Sequence, residues 1–243
     1  PVLRLTINRE ERRNAISADV LNGISAAFDR VETDRSIRVV VLTAVGDKAF
    51  CAGADLQGDA FKMDTSEPYQ RLANLMRRSR QVNTPVVARV NGACLAGGMG
   101  LLALADMAVA HERAIFGLPE VKVGVFPSQV MAMLNGILPP RVLNELVVTG
   151  EPITASEAKA IGLVNHVTAD LDAKTDWLIS RIVDKAPAAI RRALYTLKRL
   201  PDMPFEVAAA FTESQIALTA ATADAKEGTA AFREKRKPKW TGK

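Results

Sequence analysis

The chain has 243 residues, 48% of them apolar, which is enough to bury a substantial core in one domain. No apolar run reaches the ~20 residues that a membrane-spanning helix requires, and the sequence does not open with a basic segment followed by an apolar run. The formal charge of +5 suits either a phosphate-rich small ligand or nucleic acid. The two cysteines fit free thiols in a reducing compartment, so we expect a cytoplasmic protein that does not bind membranes.

Strands and helices alternate along the first half of the sequence. Apolar residues at helical spacing predict helices over residues 18–32, with Ser17 as the N-cap, and 67–82. The small residues at 48–56 are expected to open into a further helix-like segment. Runs rich in valine, isoleucine and leucine predict strands over residues 2–7, 39–43, 86–90 and 107–110. This alternation of strand and helix indicates an α/β fold.

The second half changes from mixed to helical. A Thr154-x-x-Glu157 capping box predicts a short helix that ends at Gly162. We expect strands over 121–126 and 164–167, and helices over 128–138 and 141–149. Alanine-rich helices separated by prolines are then predicted over residues 171–185, 188–200, 205–220 and 223–235.

A glycine pair lies between the strand at 86–90 and a predicted apolar helix at 99–105. Gly97 and Gly98 have no Cβ atom, so a ligand can approach the backbone N–H groups there. Unpaired N–H donors at a helix start can stabilise a developing oxyanion. Glycines between a strand and a helix can equally serve packing alone. The functional interpretation therefore needs a second donor and an acid or base.

Motifs elsewhere in the chain supply both. They are KAFCAGADL at 48–56 and FGLPE at 116–120, on either side of VNGACLAGGMG at 90–100. In this order and spacing they resemble the crotonase superfamily of enoyl-CoA hydratases and isomerases. The resemblance continues through NREERRNAI at 8–16, LVVTGEPITASEAKAIGLVNHV at 146–167 and EGTAAFREKRKP at 227–238, and so covers nearly the whole chain.

The resemblance implies an α/β fold of a particular kind. Residues 1–168 would form a crotonase-like ββα spiral core that carries the acyl-CoA site. Residues 169–243 would form a C-terminal helical trimerisation region that packs on the neighbouring subunit. The expected assembly is a homotrimer or a dimer of trimers.

The resemblance also implies the chemistry and its residues. The backbone N–H groups of Ala54 and Gly97 would hold the thioester oxygen, and Glu120 would move the proton. The enzyme would need no cofactor, since coenzyme A is part of the substrate. Contacts with substrate or coenzyme A are expected from Arg13, Ala15, Ala52, Asp55, Leu56 and Gly98, and from Phe232 and Lys235 of a neighbouring subunit. We expect Asp55 to stabilise a helix N-terminus and residues 57–67 to form a lid over the acyl pocket.

One departure from the family pattern leaves the reaction open. Hydratases with two glutamates carry the second one three residues after the oxyanion glycine, where this chain has Gly100. A single carboxyl is enough to shift a double bond, whereas addition of water usually benefits from a second orienting group. Gln129 could orient water or could be a structural amide. We therefore expect an enoyl-CoA hydratase, with a single-glutamate isomerase as the alternative.

Other classes of function are less favoured. His111 and His166 have no cysteine or carboxylate cluster at ligand spacing, so no metal site is expected. The basic C-terminus has only Phe232 and Trp240 near it, which does not favour nucleic-acid binding. A non-catalytic homologue that binds acyl-CoA or RNA is the remaining alternative.

Overall fold

Two sheets and the helices that cover them form the part of the chain that the computed structural model describes, residues 1–55 and 69–243. The larger sheet is parallel and has the strand order β1-β2-β4-β6-β9, and the smaller has the order β3-β5-β7-β8. The strands are β1 Val2–Ile7, β2 Val39–Ala44, β3 Ala49–Cys51, β4 Val86–Val90, β5 Ala93–Leu95, β6 Met107–His111, β7 Ile115–Gly117, β8 Ile153–Thr154 and β9 His166–Thr168.

Both faces of the larger sheet are covered, which is why β2 is apolar along its whole length. One face packs Val40 and Leu42 into the main core. The other face packs Val39 and Val41 in a second cluster with Ile179 and its neighbours on a C-terminal helix. A parallel sheet enclosed in this way is typical of α/β proteins.

Three strands of the smaller sheet each follow directly along the chain from a strand of the larger sheet. A few residues after β2, β4 and β6 end, β3, β5 and β7 begin, and these pair side by side with Cys51 opposite Cys94 and Leu95 opposite Gly117. The repeated strand, short strand and helix unit is the expected ββα spiral. Three of its short strands, β5, β7 and β8, are missing from the sequence prediction. The strand β3 at Ala49–Cys51 is also missing from that prediction, and the helix-like segment expected after these residues lies outside the described part of the chain.

Ten α-helices lie in the described residues. They are α1 Ala18–Thr33, α2 Arg71–Ser79, α3 Gly97–Leu102, α4 Ser128–Leu134, α5 Pro140–Thr149, α6 Ala155–Ala160, α7 Leu171–Val183, α8 Pro187–Leu197, α9 Phe205–Ala220 and α10 Ala223–Arg233. Ser17 caps α1 by accepting the Val20 N–H at 3.4 Å. The Thr154 and Glu157 capping box is confirmed, with both reciprocal hydrogen bonds present.

The strand predicted over 121–126 is wrong. A 3₁₀ helix occupies Pro119–Val123 and ends at Gly124, whose φ of 80° allows the chain to reverse. Pro119 fixes a helical φ at the start of this turn, and the Val125 N–H returns to the Glu120 carbonyl at 3.2 Å. The alternating valines there are exposed rather than half-buried.

Smaller corrections concern element ends. The helix α3 begins at Gly97 and ends at Leu102, α4 ends at Leu134, and the last strand lies at His166–Thr168. A partly buried ion pair fastens the C-terminal helices to the core: Lys198 Nζ lies 2.9 Å from Asp106 Oδ1. The same ammonium donates to the carbonyls of Ser79 and Val82 at the end of α2.

Candidate active site

The backbone amides of Ala54 and Gly97 lie side by side. A Cβ atom built on Gly97 would stand 3.6 Å from the Ala54 nitrogen, and one built on Gly53 would stand 3.6 Å from the Gly97 nitrogen. Gly53 has a φ of 107°, and its Cβ would lie 2.8 Å from the Ala96 Cβ, so only glycine fits there. Two motifs more than forty residues apart in sequence therefore meet at these two N–H groups.

An isolated parallel β-bridge pairs Ala54 with Ile16, and in this bridge the Ala54 N–H points away from Ile16. Ile16 N donates to the Gly53 carbonyl at 2.8 Å, and Asp55 N donates to the Ile16 carbonyl at 3.1 Å. The residue between them, Ala54, does not use its N–H in this bridge. Within residues 1–55 and 69–243, neither the Ala54 nor the Gly97 amide donates a hydrogen bond.

Glycines at 97 and 98 serve different purposes. Gly97 starts α3, and a Cβ there would lie 2.9 Å from Ile16 Cδ1. A Cβ on Gly98 would lie 2.3 Å from the Cys51 carbonyl oxygen, so glycine lets α3 pack directly on the backbone of β3. Packing and donor placement are thus two consequences of one glycine pair.

A hydrogen bond between β7 and the residue before Gly97 brings the backbone segment that leads to Glu120 to this region. The Gly117 carbonyl at the end of β7 accepts the Ala96 N–H at 2.9 Å, one residue before Gly97, and Glu120 follows three residues later. One oxygen of the Glu120 carboxyl, Oε2, is buried and has no hydrogen-bond partner within residues 1–55 and 69–243. Burial raises the pKa of the Glu120 carboxyl above 4.5, and a hydrogen bond from its own backbone N–H opposes that shift. A partly buried carboxyl with a free oxygen can give and take a proton.

Gly100 is enclosed by two apolar side chains. A Cβ built there would lie 3.0 Å from Met76 Cε and 3.1 Å from Val130 Cγ2. Met76 lies on α2 and Val130 on α4, so both helices close around this position. A carboxylate at position 100 would have to displace both side chains.

The loop before α1 supports the Ala54 segment. The Arg13 carbonyl accepts the Ala52 N–H at 3.1 Å, and both Arg13 and Asn14 have a positive φ. The Arg13 side chain is exposed and Ala15 is buried. Asn14 is buried and donates to the Val45 and Ala49 carbonyls, which fixes the loop against β3.

Other predicted residues lie around this centre or outside it. Leu56 and the predicted lid at 57–67 lie outside the described residues, as does the helix that Asp55 was expected to stabilise. Gln129 Nε2 donates to Gln70 Oε1 at 2.7 Å, which joins α4 to the start of α2. Phe232 is 86% exposed, and Lys235 follows α10, which packs against α8 and α9. Their contact with coenzyme A stays a prediction between subunits.

Arg9 is a site residue that is not among those predicted from the sequence. Its guanidinium donates to the Ala15 carbonyl at 2.7 Å and to Asp55 Oδ2 at 2.9 Å. The only available signal was its place in the motif at 8–16, because a long-range partner is not visible in a single sequence. Among the described residues there is no cluster of three or more histidines, cysteines or acids that could hold a metal ion.

Comparison with known proteins adds to this geometry. The sequence model of the family described as enoyl-CoA hydratase/isomerase matches residues 1–243. The chain belongs to that family, within the crotonase superfamily. It is 37% identical to enoyl-CoA hydratase EchA19 of Mycobacterium tuberculosis over 97% of this chain and 91% of that protein. It is 34% identical to carnitinyl-CoA dehydratase of Salmonella enteritidis over 100% of this chain and 96% of that protein.

Solved structures agree on the fold. The crystal structure of enoyl-CoA hydratase from Bacillus anthracis matches with a TM-score of 0.91 at 30% identity, over 100% of this chain and 96% of that chain. The crotonase fold expected from the motifs is therefore confirmed, and the expected acyl-CoA substrate fits the family to which the chain belongs. In the described part of the chain, no helix has the length and apolar character needed to cross a bilayer.

Proposed function

We propose that this family member is an enoyl-CoA hydratase in which Glu120 is the acid and base and the Ala54 and Gly97 amides hold the thioester oxygen. One observation carries the proposal: the Ala54 and Gly97 amides are adjacent and donate no hydrogen bond among residues 1–55 and 69–243. Glu120, which has a buried carboxyl oxygen without a partner in the same residues, follows three residues after the Gly117 carbonyl that binds Ala96. Donors at a developing oxyanion commonly contribute about 2.7–4 kcal/mol each to transition-state stabilisation.

The reaction follows from these groups. The ionised Glu120 takes a proton from water as the water oxygen bonds to C3 of the enoyl thioester. The π electrons move to the carbonyl oxygen, where the two N–H groups stabilise the enolate. The protonated Glu120 then returns its proton to C2, which restores the ionised carboxyl. The raised pKa suits a group that must both accept and donate this proton.

A single-glutamate isomerase is the second candidate. The observation that favours it is the enclosed Gly100, since the chain lacks a carboxylate there and Met76 and Val130 would have to shift for any side chain at this position. In an isomerase, Glu120 would take a proton from C2 of a 3-enoyl thioester to give a dienolate, held by the same two amides, and would return the proton to C4. The names of the hydratase and dehydratase relatives favour water addition instead.

Product analysis in D2O distinguishes the two reactions. The protein is incubated with 2-enoyl-CoA and 3-enoyl-CoA esters of several chain lengths, and the products are weighed by mass spectrometry. We expect 2-enoyl esters to gain the mass of D2O, and Glu120→Gln to abolish the gain. Movement of the double bond with deuterium uptake but no added water would instead establish the isomerase.

We also propose that the substrate site is completed in an oligomer. The helix α9 exposes several large apolar side chains in the single chain: Phe205 is 81% exposed, and Val207, Ile216 and Leu218 are at least half exposed. Large exposed apolar surfaces mark sites of association. Sedimentation analysis should give a trimer or a dimer of trimers, and Phe232→Ala and Lys235→Ala should weaken coenzyme A binding. Steeply salt-dependent RNA binding without turnover would favour the non-catalytic alternative.

A further inference from the structure

The Arg9 side chain connects the segment that contains Ala15 and Ile16 to the segment that contains Ala54 and Asp55. Arg9 Nη1 donates to the Ala15 carbonyl at 2.7 Å, and Arg9 Nη2 lies 2.9 Å from Asp55 Oδ2. The side chains of Arg9 and Asp55 are 25% and 21% exposed, so water screens this pair less than an exposed one. The Arg9 backbone N–H is itself fixed by Asn14 Oδ1 at 3.1 Å.

Both contacts of this guanidinium lie next to the bridge between Ile16 and Ala54. Ala15 precedes Ile16, and Asp55 follows Ala54. Ile16 in turn touches the other donor residue, because its Cδ1 would lie 2.9 Å from a Cβ on Gly97. The position of the Ala54 amide relative to the Gly97 amide thus depends on how Ile16 and Ala54 are held together.

We infer that Arg9 is a positioning residue that sets the Ala54 N–H for the thioester oxygen by binding the Ala15 carbonyl and the Asp55 carboxylate at once. The inference rests on the proposed function of the two amides. A planar guanidinium can make both hydrogen bonds from one fixed fork, whereas a lysine ammonium is a single point of charge on a flexible stem. Lysine at position 9 therefore keeps the charge but loses one of the two contacts.

The variants Arg9→Lys and Asp55→Asn test this role with two readouts. The first is steady-state kinetics on the enoyl-CoA that the wild type converts. The second is the infrared band of a saturated acyl-CoA labelled with ¹³C at the thioester carbonyl, which shifts to lower wavenumber when N–H donors polarise the bound carbonyl. The matched control is Arg4→Lys, because Arg4 on β1 also pairs with an aspartate, Asp176, at 2.8 Å, but both side chains are at least half exposed.

We expect Arg9→Lys to lower kcat by about 10- to 100-fold and leave KM within about twofold, since small displacements of a catalytic donor cost rate rather than binding. Asp55→Asn should act in the same direction, and it replaces Arg9→Lys if that variant does not fold. In both variants, the infrared band of the bound thioester carbonyl should lie closer to its position in free acyl-CoA than it does in the wild type. The control should keep wild-type kinetics and the wild-type band.

Three results would overturn the inference. They are wild-type kcat in both folded variants, a lower kcat with an unchanged carbonyl band, or an equal effect of Arg4→Lys. Failure of the proposed function has a different signature. If the wild type shifts the band but converts no enoyl-CoA, the hydratase proposal fails and the band alone decides the role of Arg9. If the wild type does not shift the band, both proposals fail.

Discussion

Replacing Gly98 with alanine tests the contact between α3 and β3 on which the donor pair depends. The new Cβ would lie 2.3 Å from the Cys51 carbonyl oxygen and 3.0 Å from the Cys51 carbonyl carbon. Ordinary contact begins at 3.4 Å, so α3 or β3 must move by about 1 Å. Because two of the contacted atoms belong to the backbone, no side-chain rotation can relieve the overlap.

The size of the effect follows from this overlap. Overpacking of a buried site costs about 1–3 kcal/mol, and the helical preference of alanine over glycine returns about 0.5–1 kcal/mol. We therefore expect Gly98→Ala to lower the free energy of unfolding by about 1–2 kcal/mol, which lowers Tm by about 2–8 °C in a chain of this size. A displacement of about 1 Å at the start of α3 should lower kcat by about 100-fold.

The assay combines thermal unfolding with kcat measured on folded protein, and Gly23→Ala is the control. Gly23 lies within α1 and would present its Cβ to open space, so that variant should gain about 0.5–1 kcal/mol and keep its activity. If Gly98→Ala were as stable and as active as Gly23→Ala, the contact between α3 and the Cys51 carbonyl would not position the Gly97 amide.

Three further predictions concern charge and burial. Because burial raises the pKa of Glu120, its neutral form stabilises the fold and that stabilisation is lost as pH rises from 4.5 through the folded pKa. Glu120→Gln should therefore unfold at a higher temperature than the wild type near pH 7, with the difference vanishing below pH 4.5; a lower Tm at pH 7 would contradict this. Lys198→Met should cost about 3–5 kcal/mol in urea unfolding, since it leaves the Asp106 carboxylate buried without its cation; a cost below 1 kcal/mol, on the scale of an exposed pair, would contradict it. Burial raises the pKa of Cys51 to about 11 and also raises that of Cys94, so iodoacetamide should label neither thiol until the protein unfolds, and rapid labelling of native protein would refute this.

Local signals in the sequence were sufficient for the long elements. Ser17 placed the start of α1, the prolines placed the breaks between the C-terminal helices, and α9 has the predicted bounds. These features depend on neighbouring residues and on helical periodicity, which a single sequence contains. The resemblance then predicted that the two amide segments and Glu120 belong to one site, and the structure brings the Ala54 and Gly97 segments together.

Short elements and long-range contacts could not be predicted in the same way. The strands β5 and β7 have three residues each, too few for alternation to be recognised. The valines at 121, 123 and 125 show strand-like alternation, yet Pro119 and Gly124 impose a 3₁₀ turn. The contacts of Arg9 with Asp55, and of Met76 and Val130 with Gly100, join residues far apart in sequence.

The most direct test of the account is deuterium exchange at C2 of butyryl-CoA in D2O, followed by proton NMR. Exchange requires only removal of the C2 proton and stabilisation of the enolate, the step that hydratase and isomerase share. We predict that the wild type exchanges this proton and that Glu120→Gln slows the exchange by at least about 100-fold. Exchange at the wild-type rate in Glu120→Gln, or none in a wild type that binds butyryl-CoA, would contradict the assignment of this site.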